Sequence, residues 1–152
     1  MNIRAMAITD IEMVSQLDET SSWNASKIQD CLRQSQYQCW VMDVNKQLIG
    51  YAISQTILDE AHVLNIAIDV DYRSQGYGRQ LLQHILNVLP AERAILEVRS
   101  DNIVAKALYN KLGFEKIGER KGYYQIDGIS CDAEVFSRGH SEENCPLSGN
   151  AG

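Results

Sequence analysis

A glycine-containing segment between an apolar run and an amphipathic run holds the residues of this sequence whose spacing suggests a binding chemistry. It reads Asp-Val-Asp-Tyr-Arg-Ser-Gln-Gly-Tyr-Gly over residues 69–78. Gly76 and Gly78 have no Cβ, so a ligand can approach the main chain closely. Because the N-terminus of a following helix carries about half a positive charge, the segment is predicted to bind a pyrophosphate group. A plain strand-to-helix loop can contain the same two glycines, so the spacing alone leaves both interpretations open.

A strand before this segment and a helix after it must position the glycines. Residues 60–68 have the composition of a strand, and apolar residues at helical spacing over 80–89 predict an amphipathic helix. The remaining pattern predicts strands at 1–6, 38–44, 48–57, 94–98, 114–121 and 130–137, and helices from Thr9, at 26–34 and at 103–112. Thr9 and Glu12 have the spacing of a capping box. The order predicts an α/β fold in which helices flank a mixed, mostly antiparallel sheet.

Length and charge limit the classes of function. The 152 residues suit a single domain, predicted over 1–137, and the polar residues 138–152 are expected to form a flexible tail. No apolar run approaches the roughly 18 residues of a membrane span, and the first residues lack a signal-peptide pattern, so we expect a cytoplasmic protein without a membrane partner. A formal net charge of −6 disfavours direct nucleic-acid binding and suits a neutral or cationic substrate.

The four cysteines show no metal-ligand spacing, so no metal is predicted. They are expected to be reduced thiols, mostly small buried hydrophobes. His62 and His84 are interpreted as structural residues.

Residues 73–78 read R-x-x-G-x-G, and residues 102–114 read N-x-x-A-x-x-L-Y-x-x-L-G-F. Both motifs resemble those of the GNAT superfamily of N-acetyltransferases. Further blocks at 58–61, 65–67, 96–99 and 123–124 resemble the branch that acetylates the N-terminal alanine of a small-subunit ribosomal protein. The resemblance covers about residues 3–137 and implies the GNAT fold, with acetyl-CoA as cosubstrate.

The resemblance also implies a role for each matching residue. Glu97 would be the general base, because an amine must lose a proton before it attacks a thioester. Tyr109 would be the general acid that protonates the leaving thiolate. The contacts to acetyl-CoA would come from Ile66, Ala67, Ile68, Arg73, Ser74, Gln75, Gly76, Tyr77, Gly78, Arg79 and Asn102.

Each of these residues also has a structural interpretation. Glu97 could be an ordinary solvent-facing strand residue, Tyr109 a core tyrosine, and Asn102 only the N-cap of its helix. The acceptor contacts are expected at Trp23, Asp59, Glu60, Tyr123 and Tyr124. The sequence departs from the family at Ser22, where related enzymes commonly have proline before the tryptophan, so the acceptor is less firmly predicted than the cofactor.

The sequence therefore predicts an enzyme that transfers acetyl directly from acetyl-CoA to the N-terminal amine of a protein, with alanine of a small-subunit ribosomal protein as the expected acceptor. Two alternatives stay open. One is a GNAT enzyme that acetylates lysine side chains or small amines, and the other is an acetyl-CoA-binding module without activity. Retention of Glu97 and Tyr109 argues against the second alternative.

Overall fold

The computed structural model describes residues 1–17, 23–89, 91–126 and 128–139, and of Tyr124 and Ile126 it describes only the backbone. These ranges contain seven strands, four α-helices and two short 3₁₀ helices. In chain order they are β1 (Asn2–Ala5), a 3₁₀ helix (Ile8–Asp10), α1 (Ile11–Leu17), α2 (Ala25–Leu32), β2 (Tyr37–Val44), β3 (Gln47–Ile57), β4 (Glu60–Ile68), a 3₁₀ helix (Val70–Tyr72), α3 (Tyr77–Val88), β5 (Arg93–Arg99), α4 (Ile103–Lys111), β6 (Glu115–Ile126) and β7 (Ile129–Gly139).

Internal contacts divide the described chain into two compact units. The first contains the described residues of Met1–Ile57 together with Val63–Leu89, and the second contains Leu58–His62 together with the described residues from 91 to 139. The predicted flexible tail lies outside the described residues except for its first two positions, which are the last residues of β7. The domain boundary at residue 137 stays a prediction.

The sheet of the first unit has the order β1-β2-β3-β4, and helices cover both of its faces. One face packs against α1 and α2, through a cluster that includes Val14, Ile28, Cys31, Val41 and Tyr51. The other face packs against α3, through a cluster that includes Met42, Ile49, Ala52, Leu81 and Ile85. Since both faces are covered, β3 is buried at the seven successive positions 48–54, and its sequence does not alternate between apolar and polar residues over 48–53.

The start of the first helix differs from the capping box predicted at Thr9. A 3₁₀ turn precedes α1, and Asp10 instead accepts the backbone N–H of Ala7 at 2.8 Å. The same carboxylate forms an ion pair with Arg4 at 2.8 Å, and Arg4 also pairs with Asp43 on β2 at 2.7 Å. The Arg4 guanidinium therefore lowers the pKa of the Asp10 carboxyl. The capping prediction was wrong because the turn begins earlier, with Ala7 as the N-cap, so Thr9 lies inside the turn.

The second unit contains β5, β7 and β6, with β7 in the middle and both pairings antiparallel. Helix α4 packs on the face of β7 that carries Phe136, whose ring lies 6.1 Å from that of Tyr109. The helix ends at Lys111, one residue before the predicted end, and Leu112 is its C-cap. Gly113 follows with a φ of 92°, the left-handed conformation that glycine adopts most readily and that was predicted to end this helix. Strand β6 is longer than predicted and reaches Ile126.

The cysteines within the described ranges are free thiols. Cys31 and Cys39 are buried, as the sequence predicted, and Cys131 is half-buried, whereas Cys145 lies outside the described residues. Burial raises the pKa of the Cys39 thiol to about 11. Among the residues described, no helix is both long and apolar enough to cross a membrane.

Candidate functional site

The predicted phosphate-binding segment links the end of β4 to the start of α3 within the first unit. The turn begins at Asp69, whose N–H donates to the carbonyl of Ile49 on β3 at 2.7 Å. The Asp69 carboxylate accepts the N–H of Asp71 at 2.9 Å, which stabilises the short 3₁₀ helix. The segment therefore leaves the sheet at a fixed point.

Helix α3 begins at Tyr77, three residues before the start that the apolar stripe predicts. Gly76 is its N-cap with a φ of 88°, and its carbonyl accepts the first helical hydrogen bond from Gln80 N–H at 3.1 Å. The amides of Gly76, Tyr77, Gly78 and Arg79 therefore precede the first intrahelical donor. Of those four residues only Tyr77 packs against the cluster on the α3 face, so the leucine and isoleucine stripe alone did not reveal this start. Four such amides at a helix N-terminus form a site for an anion.

The space around the two glycines fits a closely approaching ligand. A Cβ built on Gly76 would meet no atom within 4 Å, and one on Gly78 would meet only Ile68 Cγ1 at 3.8 Å. Gly78 also has no positive φ. Among the described residues, neither packing nor backbone conformation therefore requires glycine at position 78. A phosphate group against its N–H would require it.

Arg73 links this segment to β4. Its Nε donates to the carbonyl of Ile68 at 2.9 Å, although the side chain is otherwise exposed. Ile66, Ala67 and Ile68 form the end of β4; Ala67 is buried, and the two isoleucines are half-buried against the cluster on the α3 face. The remaining predicted cofactor residues of the segment, Ser74, Gln75 and Arg79, are exposed, and Tyr77 is half-buried with its ring 6.2 Å from that of Tyr72.

Glu97 lies in the middle of β5 in the second unit. It is opposite Val135 of β7, and its side chain is 28% exposed. One carboxylate oxygen, Oε2, is shielded from solvent and has no hydrogen-bond partner among the described residues. A half-buried carboxylate with an oxygen that no hydrogen bond satisfies can accept a proton or a hydrogen bond from a molecule bound beside it. The role of Glu97 as the base stays a prediction.

The ring of Tyr109 is part of the core of the second unit. It contacts Phe114 and Phe136, with ring centroids 6.0 and 6.1 Å away. Phe136 is opposite Leu96, and Glu97 is the next residue along β5, so the carboxylate projects from the other face of the sheet. The packing interpretation of Tyr109 is confirmed, and its role as an acid stays a prediction.

Asn102 is the N-cap of α4. Its Oδ1 accepts the N–H of Ala105 at 3.1 Å, as in the structural interpretation of this residue. Its side-chain amide N–H groups are not needed for that cap. A contact between Asn102 and the cofactor remains compatible with capping.

The predicted acceptor residues have varied surroundings. Trp23 packs against the α1–α2 cluster, with Lys27 Nζ 4.4 Å from its ring centroid. The carbonyl of Asp59 accepts the N–H groups of Glu92 and Arg93, at 2.9 and 3.3 Å. Glu60 pairs with His62 at 3.1 Å. The ring of Tyr123 lies beneath the guanidinium of Arg120 at 4.9 Å, whereas the Tyr124 side chain lies outside the described part of the chain.

The position of Asp59 separates it from the predicted base. Its carbonyl is bound to the first residue of β5, and Glu97 is four residues further along that strand, about 13 Å away at the usual rise per residue. Asp59 therefore lies beside the beginning of β5. Proximity to Glu97 does not support an acceptor contact at this residue.

Two features of the second unit were missed by sequence reasoning. Arg120 Nε lies 3.7 Å from Glu97 Oε2. Glu134, buried on the other face, pairs with Lys106 at 2.9 Å and Lys116 at 3.6 Å, and the Lys106 ammonium lowers the pKa of that carboxyl. Alternation along β6 and β7 could have suggested which residues share a face, but pairing across three strands depends on their order.

Within the described ranges, no cluster of three or more His, Cys, Asp or Glu could hold a metal ion.

Comparison with known proteins identifies relatives of the chain. The profile described as the acetyltransferase (GNAT) family matches residues 5–114. A [ribosomal protein bS18]-alanine N-acetyltransferase of Escherichia coli strain K12 is 41% identical over 96 residues, which are 61% of this chain and 65% of that protein. The Haemophilus ducreyi protein of the same name is 46% identical over 95 residues, 59% of this chain and again 65% of the relative. The matched region thus spans about two thirds of the length of these relatives.

The three-dimensional structure agrees with the sequence match. The crystal structure of the ribosomal-protein-S18-alanine N-acetyltransferase from Escherichia coli superposes with a TM-score of 0.84 at 31% identity, covering 91% of this chain and 92% of that one. These matches confirm the predicted fold class, an α/β fold with a mostly antiparallel sheet and flanking helices.

Proposed function

Since the chain belongs to the acetyltransferase (GNAT) family, we propose that it is an acetyl-CoA-dependent enzyme that acetylates the N-terminal amine of a protein in the cytoplasm. The observation that carries the proposal is the turn before α3. There, a left-handed Gly76 begins a helix whose first amides have no carbonyl partner within the helix, and Gly78 leaves room for a close ligand. The polyanionic part of acetyl-CoA matches such a site in charge and in the close approach that it needs.

The residues of this segment would divide the binding of acetyl-CoA between them. The amides of Gly76 to Arg79 would donate to the pyrophosphate, and the side chain of Arg73 would add positive charge where the net charge of the protein, −6, gives no help. The main chain of Ile66 to Ile68 would pair with the pantetheine arm. Bound in this way, acetyl-CoA supplies the activated acetyl group.

Glu97 and Tyr109 would move the protons of the reaction. The Glu97 carboxylate would take a proton from the attacking amine, directly or through a water. Tyr109 would donate its phenolic proton to the leaving sulfur. The amine then attacks the acetyl carbon directly, and no residue of the protein carries the acetyl group.

The proposed acceptor is the N-terminal alanine of a small-subunit ribosomal protein. The names of the two relatives and of the Escherichia coli structure support this choice. An α-amine has a pKa of about 7.7–8.0 against about 10.4 for lysine, so roughly 10% of it is neutral near pH 7, whereas well under 0.1% of lysine is neutral. A single carboxylate can deprotonate the α-amine without a site that strongly lowers its pKa.

A pair of matched peptides tests the proposal. One begins with a free alanine and lacks lysine, and the other has the same sequence with a blocked N-terminus and one internal lysine. We expect the free-alanine peptide to be acetylated much faster, measured by mass spectrometry after equal incubation with acetyl-CoA. Preferential labelling of the lysine peptide would identify a lysine acetyltransferase, and absence of coenzyme A release with both peptides would contradict enzymatic activity towards peptides.

A further inference from the structure

The surroundings of the Glu97 carboxylate are unusual for a charged side chain in a sheet. Its Oε2 is shielded from solvent and receives no hydrogen bond from the described residues. Leaving a buried acceptor unpaired is unfavourable, and more so for a charged one. Some other interaction must therefore favour this orientation of the side chain.

The cation beside this oxygen comes from a strand that does not adjoin β5. The strand order is β5-β7-β6, so β7 lies between the backbones of Glu97 and Arg120, and two strand spacings separate β5 from β6 by about 10 Å. Glu97 is opposite Val135, and Arg120 is opposite Ala133, which is fully buried. All four residues share one face of the sheet, and the short side chains on β7 let the two long ones meet above it.

The contact between the two charges attracts without forming a hydrogen bond. Arg120 Nε lies 3.7 Å from Glu97 Oε2, within the range of an ion pair and beyond that of a hydrogen bond. The guanidinium also lies over the ring of Tyr123, 4.9 Å from its centroid, which holds it by a cation–π interaction. Arg120 can thus orient the carboxylate while leaving a lone pair of Oε2 available.

We propose that Arg120 is a positioning residue for the acetyl transfer: it attracts Oε2 of Glu97 and so orients the carboxylate that accepts the proton of the incoming amine. The inference rests on the proposed function, in which Glu97 is the base. Tyr123, expected from the sequence to contact the acceptor, supports the Arg120 side chain in this arrangement.

A double-mutant cycle between Arg120 and Glu97 tests the inference. The full-length protein is prepared as Arg120→Gln, Arg120→Lys, Glu97→Gln and the double variant Arg120→Gln/Glu97→Gln. Lys121→Gln is the matched control, because it removes the same charge from the next residue of β6. Lys121 pairs with Asp132 on the α4 face of the sheet and is 75% exposed. The kcat and both KM values are measured with acetyl-CoA and the free-alanine peptide, after thermal melting confirms that each variant is folded.

If Arg120 acts through Glu97, Arg120→Gln lowers kcat roughly tenfold, within the coupling range of charged groups in contact, and leaves the KM for acetyl-CoA within about twofold. Arg120→Lys recovers part of the lost kcat, Lys121→Gln has little effect, and the double variant is no slower than Glu97→Gln alone.

Three results would overturn the inference. Arg120→Gln could lower kcat equally in both backgrounds, which would make its effect independent of Glu97. It could raise only the KM for the peptide, which would make Arg120 a direct acceptor contact. Arg120→Gln could leave kcat unchanged while Glu97→Gln lowers it strongly, which would refute the role of Arg120 and leave the proposed function intact. A normal kcat in Glu97→Gln would instead remove the base assignment, and the role of Arg120 with it.

Discussion

Replacing Gly78 with alanine separates ligand binding from folding at the start of α3. The added Cβ meets only Ile68 Cγ1 at an ordinary 3.8 Å, and residue 78 has no positive φ. Gly76 is a poorer probe of the same site, because its φ of 88° would strain any other residue whether or not a ligand binds. The Gly78→Ala change should therefore leave the folded chain undisturbed.

The expected effects on stability and on affinity have opposite signs. Alanine in the first helical turn should stabilise the protein by about 0.5 kcal/mol, because glycine loses more backbone freedom on folding. In a chain of this length that raises Tm by about 1–2 °C. The Cβ would push a phosphate oxygen away from the amide of residue 78. Loss of one hydrogen bond to a charged group costs about 1.5–3 kcal/mol, which weakens acetyl-CoA binding by about 10- to 150-fold.

Calorimetric titration with acetyl-CoA and a thermal melt of the same samples measure the two effects. Gly118→Ala is the matched control, because a Cβ at that position of β6 meets no atom within 4 Å. We expect it to leave the affinity within about twofold of the parent. An unchanged Kd for Gly78→Ala would refute the pyrophosphate site at this helix. A fall in Tm together with weaker binding would show instead that the substitution damages the fold.

Three further predictions concern the second unit. Glu97→Gln keeps the side-chain shape but removes the base, so we expect turnover to fall by about 10²–10⁴-fold with unchanged acetyl-CoA affinity. A normal rate across the pH range would assign the proton transfer to another group. Tyr109→Phe keeps the ring packing against Phe114 and should slow turnover by impairing protonation of the leaving thiolate. Full activity would leave Tyr109 with only its packing role. Lys106→Met should cost about 1–3 kcal/mol of unfolding free energy near pH 7, less than a fully buried pair because Lys116 remains near Glu134. Lys106 lowers the folded pKa of Glu134. The loss of unfolding free energy should therefore shrink as the pH falls below the unfolded carboxyl pKa of about 4.3 and through the folded value. Urea titrations that show the same loss at pH 3 and pH 7 would contradict this expectation.

Local rules account for what the sequence by itself determined. The R-x-x-G-x-G segment was placed correctly between a strand and a helix, because an apolar period of 3.6 and the conformational freedom of glycine depend only on neighbouring residues. The end of α4 at Gly113 was found for the same reason. Residue types and their order along the chain also sufficed to indicate the family, since the two motifs are continuous in sequence.

Tertiary structure decided everything that depends on strand order and register. The first turn begins at Ala7 rather than at Thr9, and its Asp10 side chain also pairs with Arg4 of β1. The contact of Glu97 with Arg120 requires β7 to lie between β5 and β6, with small residues in the register that separates them. No local pattern encodes that order, because a strand buries the same alternating face whichever strand it pairs with. The sequence could thus indicate a carboxylate suited to act as a base, and only the packed sheet revealed the cation that faces it.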